Sequence, residues 1–374
     1  MWSGSSWSGS VGEWRTTTWG DVVTFQRGFD ITKSEQVLDG PIPVVSSGGI
    51  SSYHDQAMSN GPGVVIGRKG TLGRVYYVDG QFWPHDTTLW VCDFKEHHPR
   101  FVYYALSAID PRFLNVGSAS PTLNRNHLHP LPVRWPDDQQ EEQAIADVLG
   151  ALDDKIAVNE RIRAAADDLS CLMWLRSTSG GAAVPLSGLA SFVNGRAFTK
   201  DASGHGRVVI RIAELNSGLG GSTVYSDIEV PEEHLARPGD LLFAWSGSLT
   251  IARWFRPEAI INQHIFKVIP KDGYPTWLVN QALRAKLDDF KAIANDKATT
   301  MGHIQRRHLD GVTMIPAVEE IRRLDPVMSA LWFRALASEQ ENLLLARTRD
   351  ELLPLLMSGK VRVKDAEAAV SELL

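Results

Sequence analysis

QQEEQAIADVLGALDDKIAVNERIRAAADDLSCLMWLR, residues 139–176, decides how the rest of the chain is read. Apolar residues recur at Ile145, Val148, Leu149, Leu152, Ile156, Ile162, Ala166, Leu169 and Met173. Steps of three and four, or their multiples, are helical spacing. The opposite side, with Asp153, Asp154, Lys155, Glu160, Arg161 and Arg163, can face water. Pro136, Asp137 and Asp138 are expected to open the helix, because proline fits a first turn and carboxylates favour the positive end of the helix dipole. Unbroken, it would run roughly 57 Å at about 1.5 Å per residue. Few globular cores need such a length, so the segment reads as a spacer.

A second long helix is expected over Val318–Met357. Ile321, Leu324, Met328, Leu331, Ala335, Ser338, Asn342, Leu345, Leu352 and Leu356 follow the alternating three-and-four spacing of a coiled coil, with Arg349 the one break. Ser338 and Asn342 give the seam polar members. Two such helices can pair antiparallel.

The segments outside the helices look like one design used twice. Val22–Phe25–Gly28 returns as Leu189–Phe192–Gly195. GPGVVIGRKGTLG (61–73) returns as RPGDLLFAWSGSLT (237–250). WPHDTTLWV (83–91) returns as NQHIFKV (262–268), which sets His85 against His264. LNRNHLH (123–129) returns as HIQRRHL (303–309), which sets Arg125 against Arg306 and His127 against His308. In the first copy PIPVV (41–45), GVVIG (63–67), RVYYV (74–78) and TTLWVC (87–92) read as strands, and Pro99–Ala108 as a short helix. SSGGISSYHD (46–55) and GRKGTLGR (67–74) read as glycine-rich loops.

The chain divides on this reading into a flexible lead-in (1–13), a first globule (14–136), a central helix (137–178), a second globule (179–316), a distal helix (317–359) and a tail (360–374). The class is α+β: two similar mixed α/β domains joined by two long helices that form an antiparallel coiled coil.

Net charge is −6 over 374 residues, which by itself argues against a polyanionic partner. By segment the picture changes. Residues 136–178 carry 4 basic and 10 acidic side chains, whereas 1–135 carry 11 of each and 179–315 carry 15 basic and 13 acidic. The acidic excess lies mainly in the central helix, so a polyanion can approach either globule. No apolar run is long enough for a transmembrane helix. The first residues lack the charged and apolar regions of a signal peptide. Two cysteines without metal spacing fit a cytoplasmic setting.

Catalytic signatures are missing. In GVVIGRKGT the lysine precedes Gly70 rather than Ser or Thr, so it is not a phosphate-binding P-loop. No GxGxxG opens a helix after a strand. No Asn- or Asp-Pro-Pro-aromatic motif of an amino-methyltransferase occurs. His97-His98 and His127-x-His129 lack further metal ligands. Asp153-Asp154 and Asp167-Asp168 read as solvated helix faces.

The loops do carry polar chemistry. Arg68, Lys69 and Thr71 follow the first Pro-Gly strand, and Trp245, Ser246 and Ser248 follow the second. Ser118, Ser120, Thr122, Asn124 and Arg125 precede the central helix, and Thr299, Thr300, Met301, His303, Gln305 and Arg306 lie upstream of the distal one. Such side chains can donate to phosphate oxygens or base edges. The frame is kept between copies while the loop side chains differ, which suits the reading of two different targets.

WGDVVTFQRGFDIT (19–32), SSGGISSYHD, VVIGRKGTLGRVYYVDGQFWPHDTTLWV (64–91), SPTLNRNHL (120–128), QQEEQAIADVLGALDDKIAVNERI (139–162), RPGDLLFAWSGSL, INQHIFKV and LLPLLMSGKVRV (352–363) resemble the specificity subunit of a type I restriction–modification system. The resemblance spans about 14 to 363. It implies two target recognition domains, each reading one half of a bipartite site on double-stranded DNA, with the coiled coil as the ruler between halves. It implies two modification (methyltransferase) subunits and a restriction (translocase/endonuclease) subunit as partners, with no membrane. S-adenosylmethionine, ATP and Mg²⁺ would belong to those partners and none to this chain, which would be non-catalytic. Ser47, Arg68, Lys69, Thr71, His85, Ser118, Ser120, Thr122, Asn124 and Arg125 become the first-half DNA-contact candidates. Arg211, Trp245, Ser246, Ser248, Gln263, His264, Thr299, Thr300, His303 and Arg306 become those of the second. AWSG stands where the first half has GRKG, so Arg68 and Lys69 have no basic counterpart. A stand-alone nuclease or methyltransferase assembled from distant residues, and a scaffold without a DNA role, are the competing readings.

Overall fold

A computed structural model describes residues 13–37, 39–110, 113, 122–178, 180–200, 202–296 and 302–374. Residues 1–12 of the expected 1–13 lead-in and the candidates Ser118, Ser120, Thr299 and Thr300 lie outside them. The chain forms two compact units, Met1–Lys155 with Leu345–Leu374 and Ile156–Leu344. Both long helices contribute to both units.

In the first unit a four-stranded antiparallel sheet runs in the order Thr24–Arg27, Thr88–Asp93, Gly63–Gly67, Val75–Val78. Gly63–Gly67 is buried along its whole length, as its continuous apolar run requires. A smaller sheet joins Gly49–His54 antiparallel to Ile42–Ser46, which pairs in parallel with Trp83–Pro84. Trp14–Thr18 pairs with Pro132–Pro136, bringing the two ends of the globule together. SSGGISSYHD is therefore a hairpin and not a loop. Gly49, at φ +110°, supports the tight turn, and the ladder to Ile42–Ser46 holds a strand whose own side-chain pattern is weak.

The second unit repeats this order. Its main sheet runs Ala190–Asn194, Ile265–Pro270, Leu241–Ala244, Thr250–Arg253, again antiparallel throughout. Its smaller sheet contains the matching parallel pair, Arg207–Ile210 with Ala259–Ile261. Ala182–Pro185 pairs with Val312–Ile315 as Trp14–Thr18 does with Pro132–Pro136. The copies differ in one packing helix. Pro99–Ser107 has 9 residues; its position after the sheet is filled in the second unit by Thr276–Asp296, with 21. That longer helix carries Trp277, Leu278, Ala282, Leu283 and Phe290 into the core. Its apolar spacing went unread among the strand motifs.

The central helix covers Gln139–Ser177 and the distal helix Val318–Met357. Pro136 ends a strand instead of opening the helix. Asp138 does the capping, its carboxylate accepting the Gln140 N–H at 2.9 Å. Within each unit the helices run antiparallel: Asp153 bonds Arg349 at 2.6 Å in the first, and Asn159 meets Glu341 at 2.8 Å and Ser170 meets Met328 at 3.7 Å in the second. The central seam passes through Leu152, Asn159, Ala166 and Ser170, all buried, while Leu169 is 46% exposed. Leu169 thus falls off the expected face. Heptad geometry prefers position over hydrophobicity, and the polar Asn159 and Ser170 take the inward places. On the distal helix Ile321, Leu324, Met328, Ala335, Ser338, Leu345, Leu352 and Leu356 are buried as expected.

Candidate nucleic-acid interface

Backbone hydrogen bonds define the same frame in both units. Arg68 N donates to Thr87 O at 2.9 Å, and Trp245 N to His264 O at 3.0 Å. Leu123 N donates to Arg68 O at 2.9 Å, and Ile304 N to Trp245 O at 3.0 Å. His85 N donates to Val45 O at 2.9 Å, and Asn262 N to Ile210 O at 3.1 Å. Arg68 therefore corresponds to Trp245 and Arg125 to Arg306. His85 corresponds to Asn262, and His264 to Thr87. Pairing His85 with His264 is a two-residue slip, made because the shared imidazole was followed in place of the strand register.

Two glycines lock the frame. A Cβ on Gly28 would lie 2.1 Å from His85 O, and one on Gly195 would lie 2.2 Å from Asn262 O. Only hydrogen fits where the two backbones cross. The residue before each glycine, Arg27 or Asn194, pairs across the sheet with Leu89 or Phe266.

In the first unit Arg27, Arg68, Asn124 and Arg125 line one cleft. Arg68 sends Nη1 to Asp86 O at 3.1 Å and Nε to Leu123 O at a long 3.4 Å. Burial, then repulsion from Arg27, pushes its guanidinium below the usual value. Arg27 is paired with Asp30 at 2.8 Å and Asp86 at 3.2 Å. Asn124 caps the turn Arg125–Leu128 by accepting the Asn126 N–H at 3.1 Å, which leaves Arg125 exposed at the rim.

In the second unit Asn194, Trp245, Phe266, His303, Gln305 and Arg306 line the corresponding cleft. Trp245 stacks on Phe266, with centroids 5.8 Å apart and planes at 30°. Its Nε1 donates to Asn194 Oδ1 at 2.8 Å. Arg306 anchors one N–H on Phe192 O at 2.7 Å and is otherwise exposed.

The remaining candidates scatter. Lys69 and Thr71 are exposed on the loop between Gly67 and Arg74, which closes through Gly73 N to Gly67 O at 3.0 Å. Ser47 and Ser246 are buried. Thr122 is half-buried, and Ser248 and Gln263 are exposed outside the clefts. His85 is committed to its own turn: its Nδ1 accepts the Thr87 N–H at 3.2 Å. Asn262, in the same place, accepts the Phe198 N–H at 3.0 Å. His264 sits at φ +72° with a buried Nδ1 that bonds no described residue. Arg211 is engaged internally, by Glu214 at 2.6 Å and Ser222 O at 2.6 Å. Burial pushes the Glu214 carboxyl up, but the Arg211 hydrogen bonds outweigh it and hold it below the usual carboxylate range. Sequence reading passed over Arg27, Asn194 and Phe266, although Arg27 and Asn194 adjoin the matched Gly28 and Gly195; Gln305 figures there as a polar loop residue and not as a contact candidate.

Among the described residues no group of three or more His, Cys, Asp or Glu side chains could hold a metal ion, and no helix is long and apolar enough to cross a membrane.

Residues 12–166 match the family described as the type I restriction modification DNA specificity domain. No curated protein sequence matches the chain significantly. Among solved structures, the type I restriction–modification S subunit from M. genitalium is 16% identical and superposes with a TM-score of 0.63, covering 92% of this chain and 96% of that one. That likeness establishes the fold. The HsdS subunit from Thermoanaerobacter tengcongensis is 17% identical, with 96% of each chain covered, at a TM-score of 0.31. A chain from a study of complex assembly and conformational transition of the type I R-M system is 18% identical, covering 94% of this chain and 99% of that one, at a TM-score of 0.34. Scores that low add nothing to the fold assignment. The likeness to the type I restriction modification DNA specificity domain thus covers residues 12–166, and the chain as a whole shares the fold of the M. genitalium S subunit.

Proposed function

We propose that each unit reads one half of a bipartite site on double-stranded DNA, and that the two long helices set the distance between the halves. The observation that carries this reading is the duplicated hydrogen-bond frame whose clefts are lined differently, by Arg68 in one copy and Trp245 in the other. A reader of one repeated target would have no need of two chemistries on one frame. Phosphate contacts supply much of the affinity and weaken with salt, while base edges supply the choice of sequence. Two modification subunits dock on this chain and a restriction subunit can join them. S-adenosylmethionine, ATP and Mg²⁺ act in those subunits. On this reading the chain works in the cytoplasm, where its DNA target lies. The domains that read DNA are 14–136 and 179–316, with 137–178 and 317–359 as spacers and 360–374 as a tail.

The test is to map methylated sites in cells carrying the complete system, first with the natural chain and then with one matched heptad removed from each helix. A heptad is about 10.5 Å of helix, or roughly three base pairs of duplex. The expected result is a bipartite motif whose gap shortens by about that amount, with both half-sites unchanged. A contiguous motif, or a gap that ignores the deletion, rejects the ruler.

A further inference from the structure

The two clefts occupy the same place in the frame, so their chemistry can be compared position by position. Arg68 is a fork held from behind. Two backbone carbonyls, Asp86 O and Leu123 O, take N–H groups from it, and no carboxylate bonds it directly among the described residues. A guanidinium has five N–H donors in a fixed plane, so donors remain for a ligand. Arginine fixed in this way matches the adjacent O6 and N7 acceptors of guanine in the major groove. Arg27, beside it, is already paired with Asp30 and Asp86, so Arg68 is the donor left to read.

At the same position Trp245 has nothing comparable to donate. An indole has one N–H, and Asn194, which replaces Arg27, takes it. What remains is an aromatic surface backed by Phe266, where the first unit has Leu89. An apolar surface in the major groove contacts the C5-methyl group of thymine, which no other standard base of DNA carries. The one charge kept at both rims is Arg125 in the first unit and Arg306 in the second, and a contact common to two different half-sites is of the kind made to phosphate.

Resting on the bipartite reading above, we propose that position 68/245 of the shared frame is the base-discriminating position: Arg68 selects a guanine edge in the half-site read by the first unit, and Trp245 on Phe266 selects a thymine methyl in the half-site read by the second. Arg125 and Arg306 hold the sugar–phosphate backbone at the same place in both.

Base analogues test this on the intact complex of this chain with its modification subunits, bound to duplex carrying the motif that methylation mapping defines. Replacing guanine by 7-deazaguanine, which lacks the N7 acceptor, should weaken binding on the order of tenfold at one position of the first half-site and leave the second unaffected. Replacing thymine by uracil, which lacks the methyl, should weaken binding several-fold at one position of the second half-site only. Arg68→Met keeps much of the stem and loses every donor, so it should abolish the 7-deazaguanine effect; Trp245→Phe keeps the aromatic surface and should preserve the uracil effect. A bipartite motif whose halves ignore these analogues, or respond in the reverse order, overturns the assignment and leaves the bipartite reading standing. A motif that is not bipartite overturns both.

Discussion

The cleft beside Gly63–Gly67 and the cleft beside Leu241–Ala244 share their backbone and share little else. The same amide bonds the same carbonyl at each step around both, down to a glycine whose missing Cβ lets two strands touch. The lining changes from arginine to aromatic and from Arg27 to Asn194. Backbone hydrogen bonds do not depend on which side chain projects from them, so a duplicated frame can keep its shape while its surface changes chemistry. The packing around the frame diverges too. Tyr77 lies beneath the Arg100 guanidinium in the first unit, whereas the aligned place in the second holds Arg253, 5% exposed, bonded to Glu339 at 2.8 Å and lying over Trp332.

The sharpest way to break the comparison is at the glycines. Gly28→Ala and Gly195→Ala would each force a Cβ to about 2 Å from a carbonyl oxygen, and each is expected to cost at least about 4 kcal/mol, enough to unfold its unit. Denaturant unfolding followed by tryptophan fluorescence would show it. Tolerance at one position and not the other would mean that the frames are not equivalent.

A smaller effect separates the units by their ion pairs. Arg253→Ala strands Glu339, whose side chain is 14% exposed and whose carboxyl burial already pushes up, and should cost about 3 kcal/mol. Arg349→Ala in the first unit removes the partner of Asp153, but the arginine is 27% exposed and Tyr104 still donates to that carboxylate at 2.6 Å. Its cost should be about 1–2 kcal/mol. Equal losses would contradict the difference in burial.

The smallest effect should be the same in both units. Arg125→Ala and Arg306→Ala are expected to leave the methylated motif unchanged while lowering affinity, and to reduce the salt dependence of binding by about one phosphate contact each. Titrations at several salt concentrations would measure this. A change of motif in either variant would move that arginine from backbone to base contact.

Much of this was open to reading in one dimension. The long helices follow from apolar residues at helical spacing, and eight of the ten expected seam residues of the distal helix are buried, with Leu331 and Asn342 half-buried, because most of its members are apolar. GVVIG is a strand from five consecutive apolar or glycine residues. The repeat was visible wherever glycine, proline or an apolar run marks it. Reading failed where position outranks residue type. Leu169 looks like a seam residue and faces out, because Asn159 and Ser170 hold the heptad places. His264 looks like the partner of His85 and is not, because register is set by amides and carbonyls that every residue has. The central cap passed to Asp138 because Pro136 was already taken by a strand.

Sequence alone therefore determined that the chain is one α+β plan used twice, with two long helices and no catalytic signature, since periodicity and punctuation are local properties of the chain. Tertiary structure alone decided which side chains share a cleft. Arg27, Arg68 and Arg125 come from three separate segments, as do Asn194, Trp245 and Arg306, and only the closing of the sheet brings each set together. It also decided that Arg68 stays able to donate while the indole N–H of Trp245 is already spent, because hydrogen-bond partners are assigned by proximity in the folded chain.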